Sequence, residues 1–144
     1  ADICKDYAKL SFRNLVRFID HQIYIQDLNE KIITNNIVVV FQEMFGDLNI
    51  NSYLVMEEDT FIDFASRYSK LQINKRDQLA EDSVAEFLNF NNGLFTVNMS
   101  EQGKNIMLKP PIILDKVNVF NLDSHIIIPF NINKGKIYFV LEIK

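Results

Sequence analysis

Cysteine, glycine, histidine and tryptophan are all scarce in this chain, with one Cys, four Gly, two His and no Trp among 144 residues. The lone Cys4 has no partner for an internal disulfide, and a thiol near a terminus without a flanking His is incidental rather than nucleophilic. His21 and His125 are assigned to strand edges in unrelated contexts. Neither has a Cys or a second His at ligand spacing, so both are read as surface or structural residues and not as metal ligands. Four glycines leave little material for a phosphate cradle, and no G-x-x-x-x-G-K, G-x-G-x-x-G or G-x-S-x-G occurs. Nucleotide hydrolysis and the familiar serine-hydrolase route therefore lack their parts.

Positive charge is also thin. The formal charge is −4 and the pI is near 5.1, and no dense basic patch of the kind that binds phosphate backbones is present, so no nucleic-acid partner is expected. The longest apolar stretches, Ile32–Phe41 with its polar interruptions and Ile126–Phe130, fall well short of the roughly 20 residues that span a bilayer. No charged-then-apolar leader opens the chain. Its first helix-like segment mixes Lys9, Arg13, Arg17 and Asp20 with apolar residues, and a cytoplasmic location is expected. The chain begins at Ala1 and not Met, as a trimmed product or a piece of something longer does. Its length fits one domain over residues 1–144, without internal repeats, linkers or low-complexity tracts.

Helical periodicity predicts a first amphipathic helix from about Asp6 to Asp20; strands are expected next over Gln22–Leu28 and Asn36–Met44, the second a Val-Val-Val-Phe run of strong β propensity. Gly46-Asp47 reads as a turn into a further strand, Asn49–Met56, which makes an antiparallel pair with its predecessor. Acids at Glu57, Glu58 and Asp59 open a second helix that repeats Phe61, Phe64, Ala65 and Tyr68 and ends near Lys70. A third helix is expected from about Lys75–Gln78 to Asn91, stopped by Asn92-Gly93. Leu94–Met99 and Lys104–Leu108 around Gly103 suggest a hairpin. Pro110-Pro111 then breaks the pattern before Ile112–Leu114, and two strands close the chain near His125–Ile132 and Lys136–Ile143. This order gives an α/β (α+β) sandwich, with helices packed on a largely antiparallel sheet.

Two local features have ordinary explanations. Gly46 to Asn51 has the wrong acid spacing for a calcium loop, and no glutamate closes it. Phe61, Phe64 and Tyr68 could line a cavity, but that spacing is normally core. The third helix is more informative. Asp82, Glu86 and Asn89 stand at offsets of four and three, on one stripe, while Ala80, Val84, Phe87 and Leu88 fall on the other side. Most such polar stripes are simply solvated; this one can also be displayed to a partner.

Asp82-x-x-x-Glu86-x-x-Asn89, then a hairpin, then Pro110-Pro111-Ile112-Ile113, resembles the signature of the CheC/CheX/FliY family of phosphatases acting on the chemotaxis response regulator CheY, with CheX the nearest in look. Gly93 after the helix, Gly103 in the hairpin and the doubled proline are also similar. Only one E-x-x-N helix is present, because the helix over 59–70 lacks it, which looks like CheX rather than the doubly equipped CheC. Phe90, Asn91 and Asn92 are bulkier or more polar than the small residues common after the motif.

The resemblance implies hydrolysis of an aspartyl phosphate on a CheY-like receiver domain. The receiver supplies Mg²⁺ and a lysine for the phosphoryl oxygens, so this chain needs no cofactor or metal of its own and contributes an aligned water. Asn89 is then the catalytic group, since a neutral carboxamide can orient water without bringing negative charge beside the phosphoryl group. Glu86 pairs with the receiver lysine, with consequences for catalysis, and Asp82 assists docking. The resemblance also implies a homodimer through sheet edges, to which Ile137–Ile143 would contribute. Two other readings stay open: a non-catalytic receiver-binding adaptor of the same fold, and a small-molecule sensor with a cavity around Phe61, Phe64 and Phe87.

Overall fold

Alternation along one strand sets the layering of the molecule. In β2 (Ile37–Gly46), Val38, Val40 and Met44 belong to the large core cluster beneath the helices, whereas Val39 belongs to a second, smaller cluster on the opposite face. This is the period-two separation that a pleated strand imposes. The computed structural model describes residues 2–25, 36–114 and 125–144. Its other elements are α1 (Ile3–Phe18), β1 (Tyr24–Ile25), β3 (Ile50–Glu57), α2 (Glu58–Ser69), α3 (Gln78–Glu101), β4 (Ile106–Leu108), β5 (Ile112–Leu114), β6 (Ile126–Ile132) and β7 (Gly135–Ile143). The strands form one sheet in the order β1-β6-β7-β3-β2-β4, with β5 also on β2. Every pairing is antiparallel. The fold is thus α+β, with three helices packed on an antiparallel sheet.

Two of the three helices start on an aspartate cap, and α2 starts on acids in its first turn without a side-chain cap. Asp2 caps α1 by accepting from the Lys5 amide, and Asp77 caps α3 by accepting from the Ala80 amide at 2.9 Å. Tyr7, Leu10, Asn14 and Leu15 make the buried face of α1. In α3 the buried stripe runs through Ala80, Val84, Phe87, Leu88, Asn91, Asn92, Phe95 and Met99, the i, i+3, i+4 rhythm of a helix lying on a sheet. Phe87 meets Phe64 and Tyr68 of α2 edge to face, with ring centroids 4.9 and 5.3 Å away.

Several expectations are corrected. The third helix does not stop at Asn92-Gly93 but continues to Glu101, because the buried rhythm persists through Phe95 and Met99 and both asparagines find partners in the core. Residues 94–99 are therefore helix, and no hairpin precedes the prolines. Gly103, at φ +84°, is instead the residue that lets α3 end: its amide bonds to Ser100, and the Lys104 amide reaches back to Met99. Of the strand expected over 22–28, Tyr24–Ile25 is strand, and 26–28 lie outside the described residues. The final strand is not an edge. β7 pairs with β3 over Ile137–Ile143 and with β6 over Gly135–Leu141, so it lies inside the sheet and not at an open edge. Its apolar residues instead serve the two faces of the sheet.

The doubled proline interrupts a sheet edge. β4 pairs with β2 up to Leu108 opposite Met44, and β5 resumes at Ile112 opposite Phe41. Lys109, Pro110 and Pro111 thus stand against only Gln42 and Glu43, an edge bulge in which the missing proline N–H groups cost no ladder bonds.

Candidate active site

On α3 the residues Leu79, Asp82, Glu86, Asn89, Gly93 and Val97 follow one another at steps of three or four and so share one stripe. Leu79, Asp82, Glu86 and Val97 are exposed, and Asn89 and Gly93 are half-buried. The Asp82 carboxylate accepts from Gln78 Nε2 at 2.7 Å. Glu86 lies close enough to Tyr68 that its charge, after burial, helps raise the phenol above its ordinary range. The structure therefore brings Asp82, Glu86 and Asn89 onto one face, with the two acids in solvent and the amide at the margin of the core.

That margin is a polar network which the sequence reading missed. Gln42 occupies the helix-facing row of β2 between Val40 and Met44 and is fully buried. Its Nε2 donates to Asn89 Oδ1 at 2.8 Å and to the Lys109 carbonyl at 2.8 Å. Its Oε1 accepts from Asn92 Nδ2 at 2.8 Å, and the same Asn92 nitrogen donates to Ser52 Oγ at 2.9 Å. Ser52 in turn donates to the Gln42 carbonyl at 2.7 Å, and Tyr7 donates its hydroxyl proton to Asn92 Oδ1 at 2.5 Å. Burial holds the Tyr7 phenol protonated, far above its ordinary pKa. Alongside, Asn91 accepts from Asn14 Nδ2 at 2.8 Å and donates to Ser11 Oγ at 3.1 Å. The two asparagines that looked out of place after the motif are the pins joining α3 to α1 and to the sheet. A polar residue in a core-facing slot of an otherwise apolar strand, Val38-x-Val40-x-Gln42-x-Met44, was the available signal.

The edge bulge delivers the second part of the motif. Gln42 bridges Asn89 to the carbonyl of the residue before Pro110-Pro111, so positions twenty residues apart in sequence meet through one side chain. Lys109 also donates to Glu43 at 2.9 Å, and this bond and the lysine charge hold the Glu43 carboxyl below its usual range. The remaining candidates lie elsewhere. His21 follows α1, and His125 precedes β6, its ring beside Tyr53. The Cys4 thiol is pushed up by burial and then by Asp2, which disfavours the thiolate. Asp47 closes the β2–β3 turn on Asn105 as donor and acceptor. Phe61, Phe64 and Phe87 are all fully buried, and the Phe64–Phe87 contact fills the place a sensor cavity would need. Among the described residues no group of three or more His, Cys, Asp or Glu side chains is placed to hold a metal ion, and no helix is long and apolar enough to cross a membrane.

A family model described as Chemotaxis phosphatase CheX matches residues 38–131, a span that holds β2 from Val38 on, α3 and the proline bulge. No curated protein matches the chain in sequence. Solved structures share its fold. The chemotaxis protein CheX from Vibrio vulnificus superposes with a TM-score of 0.81 at 14% identity, covering 100% of both chains. The CheX-CheY-BeF3-Mg²⁺ complex from Borrelia burgdorferi gives 0.82 at 17% identity, with 99% of this chain and 98% of that one covered. A CheC-like superfamily protein from Shewanella sp. PV-4 gives 0.83 at 17% identity over 100% and 98%.

Proposed function

This chain belongs to the chemotaxis phosphatase CheX family, and from that membership we propose that it hydrolyses the aspartyl phosphate of a CheY-like receiver domain, with Asn89 orienting the attacking water and Glu86 pairing with the receiver's lysine. The observation that carries this reading is the stripe on α3. An exposed Glu86 stands one turn from an Asn89 whose oxygen is held by Gln42 and whose Nδ2 has no partner among the described residues.

An acyl phosphate is already activated, so the chemistry asks for alignment more than for acid or base. The Asn89 carboxamide retains one oxygen lone pair and two N–H donors, enough to hold a water by two points. It does so without the charge that a carboxylate would set against the phosphoryl oxygens. Glu86 fixes the depth of insertion by a charge-assisted bond, and Asp82, one turn further along, assists docking. The partner supplies Mg²⁺. The CheX of Borrelia burgdorferi, solved with CheY, BeF3 and Mg²⁺, supports that arrangement. The same receiver chemistry supports a cytoplasmic site of action, and the single continuous sheet supports one CheX-like domain over 1–144. A homodimer built on sheet edges has β1 and the β4–β5 side available to it.

The test is phosphate release from a phosphorylated CheY-like receiver. Wild type should accelerate release, and Asn89→Ala should lose about 10²-fold, the cost of a misplaced reactant, while still binding the BeF3-loaded receiver. Unchanged turnover in the variant would remove the mechanism. Binding without any acceleration by wild type would identify a receiver-binding adaptor instead.

A further inference from the structure

We propose that Gln42 is a positioning residue that sets which way the Asn89 carboxamide faces and holds it rigid before the receiver arrives. The proposal rests on the reading of Asn89 given above and assigns the device that makes it effective.

The orientation follows from groups whose polarity is not in question. The Lys109 carbonyl can only accept, so the Gln42 atom 2.8 Å from it is the amide nitrogen. That nitrogen also faces Asn89, so the Asn89 atom it meets at 2.8 Å is the oxygen. The other end of the chain agrees. Ser52 gives its proton to the Gln42 backbone carbonyl and must therefore accept from Asn92, which presents nitrogen to Ser52 and to Gln42 Oε1 and oxygen to the Tyr7 hydroxyl. Gln42 thus spends both of its amide protons and accepts one, and Asn92 does the same. No rotation of either amide preserves this set of bonds. A half-buried Asn at a helix surface would ordinarily sample both flips. Here the flip that turns its nitrogen inward sets an N–H against the N–H of Gln42.

The edge bulge has a place in this arrangement. The Lys109 carbonyl precedes Pro110, which has no N–H, and stands opposite β2 where the ladder is out of step. It reaches Gln42 and fixes its amide, so the proline segment acts on Asn89 through Gln42. Gln42 is fully buried and touches no substrate; its effect passes through Asn89.

Gln42→Glu keeps the volume but turns two donors into acceptors, and Gln42→Leu removes them. Both variants should lose at least tenfold in kcat for receiver dephosphorylation, the scale expected when a reacting group is displaced, with KM for the receiver within twofold of wild type. A rise confined to KM, or an unchanged kcat in a folded variant, would overturn the proposal and leave the Asn89 mechanism standing. Loss of acceleration by wild type would sink the mechanism instead. Side-chain ¹⁵N relaxation of Asn89 in the wild-type protein decides the matter even if neither variant folds. An order parameter close to the roughly 0.85 of rigid backbone is expected, and one below about 0.6 would contradict a held carboxamide.

Discussion

Replacing Gly93 with alanine should make this protein more stable and a poorer partner. Gly93 sits inside α3, where glycine costs about 0.5–1 kcal/mol relative to alanine, and a Cβ added there meets nothing within 4 Å. No clash offsets the gain in helix propensity, so Gly93→Ala should raise stability by roughly that amount and Tm by roughly 1–4 °C for a chain of this size. Yet Gly93 lies one turn beyond Asn89 on the same stripe. If the receiver's backbone packs against that turn, a methyl group intrudes on a fitted contact, and overpacking of that kind costs about 1–3 kcal/mol. Affinity for a BeF3-loaded receiver should then fall roughly tenfold. Thermal melting of the free protein and calorimetric titration with the receiver read the two effects separately. A lowered Tm would refute the open geometry at Gly93. A raised Tm with unchanged affinity would show that the receiver does not reach this turn of α3.

Other consequences are simpler to state. Glu86→Lys should weaken receiver binding strongly at low salt, and the gap to wild type should narrow as ionic strength rises; a pull-down at two salt concentrations that shows no narrowing would exclude a charge contact. Burial raises the Tyr7 pKa above its usual 10.0, so the folded state holds that proton more tightly than the unfolded chain. This contribution is fully present below about pH 10 and is lost as pH climbs through the raised folded value. Tyr7→Phe should flatten the alkaline limb of a stability-versus-pH curve. It should also cost about 1–3 kcal/mol near neutrality, because Asn92 Oδ1 loses its donor. Phe87→Ala, at the junction of α2 and α3, should destabilise by about 3–5 kcal/mol in a denaturant melt; a loss under 1 kcal/mol would mean that the aromatic junction is not close-packed.

Much of the fold was legible because its signals are local. The β-branched run Val38-Val39-Val40 before Phe41, the acid-rich start of α2, and the Asp82, Glu86, Asn89 spacing can all be read within a few residues. What was misread depended on distant partners. Asn91, Asn92 and Gly93 carry poor helix propensity, and by local rules they end a helix; Ser11, Asn14, Tyr7 and Gln42 supply the bonds that let it continue. Strand order is also non-local: the apolar run of β7 looks the same at an edge or in the middle, and only its pairing with both β3 and β6 places it inside. Gln42 went unnoticed for the same reason. A single glutamine in a core-facing slot of an apolar strand signals a buried polar contact, but its partners, Asn89, Asn92 and the Lys109 carbonyl, come from the helix above it and the bulge beside it.

The central claim, that the Asn89 carboxamide acts on a receiver's aspartyl phosphate, is tested most directly under single-turnover conditions with the protein in saturating excess, where binding no longer limits the rate. Wild type should speed loss of the phosphoryl group, and both Asn89→Ala and the charged, near-isosteric Asn89→Asp should fall by about 10²-fold at saturation. Saturated rates equal to wild type in either variant would contradict the account.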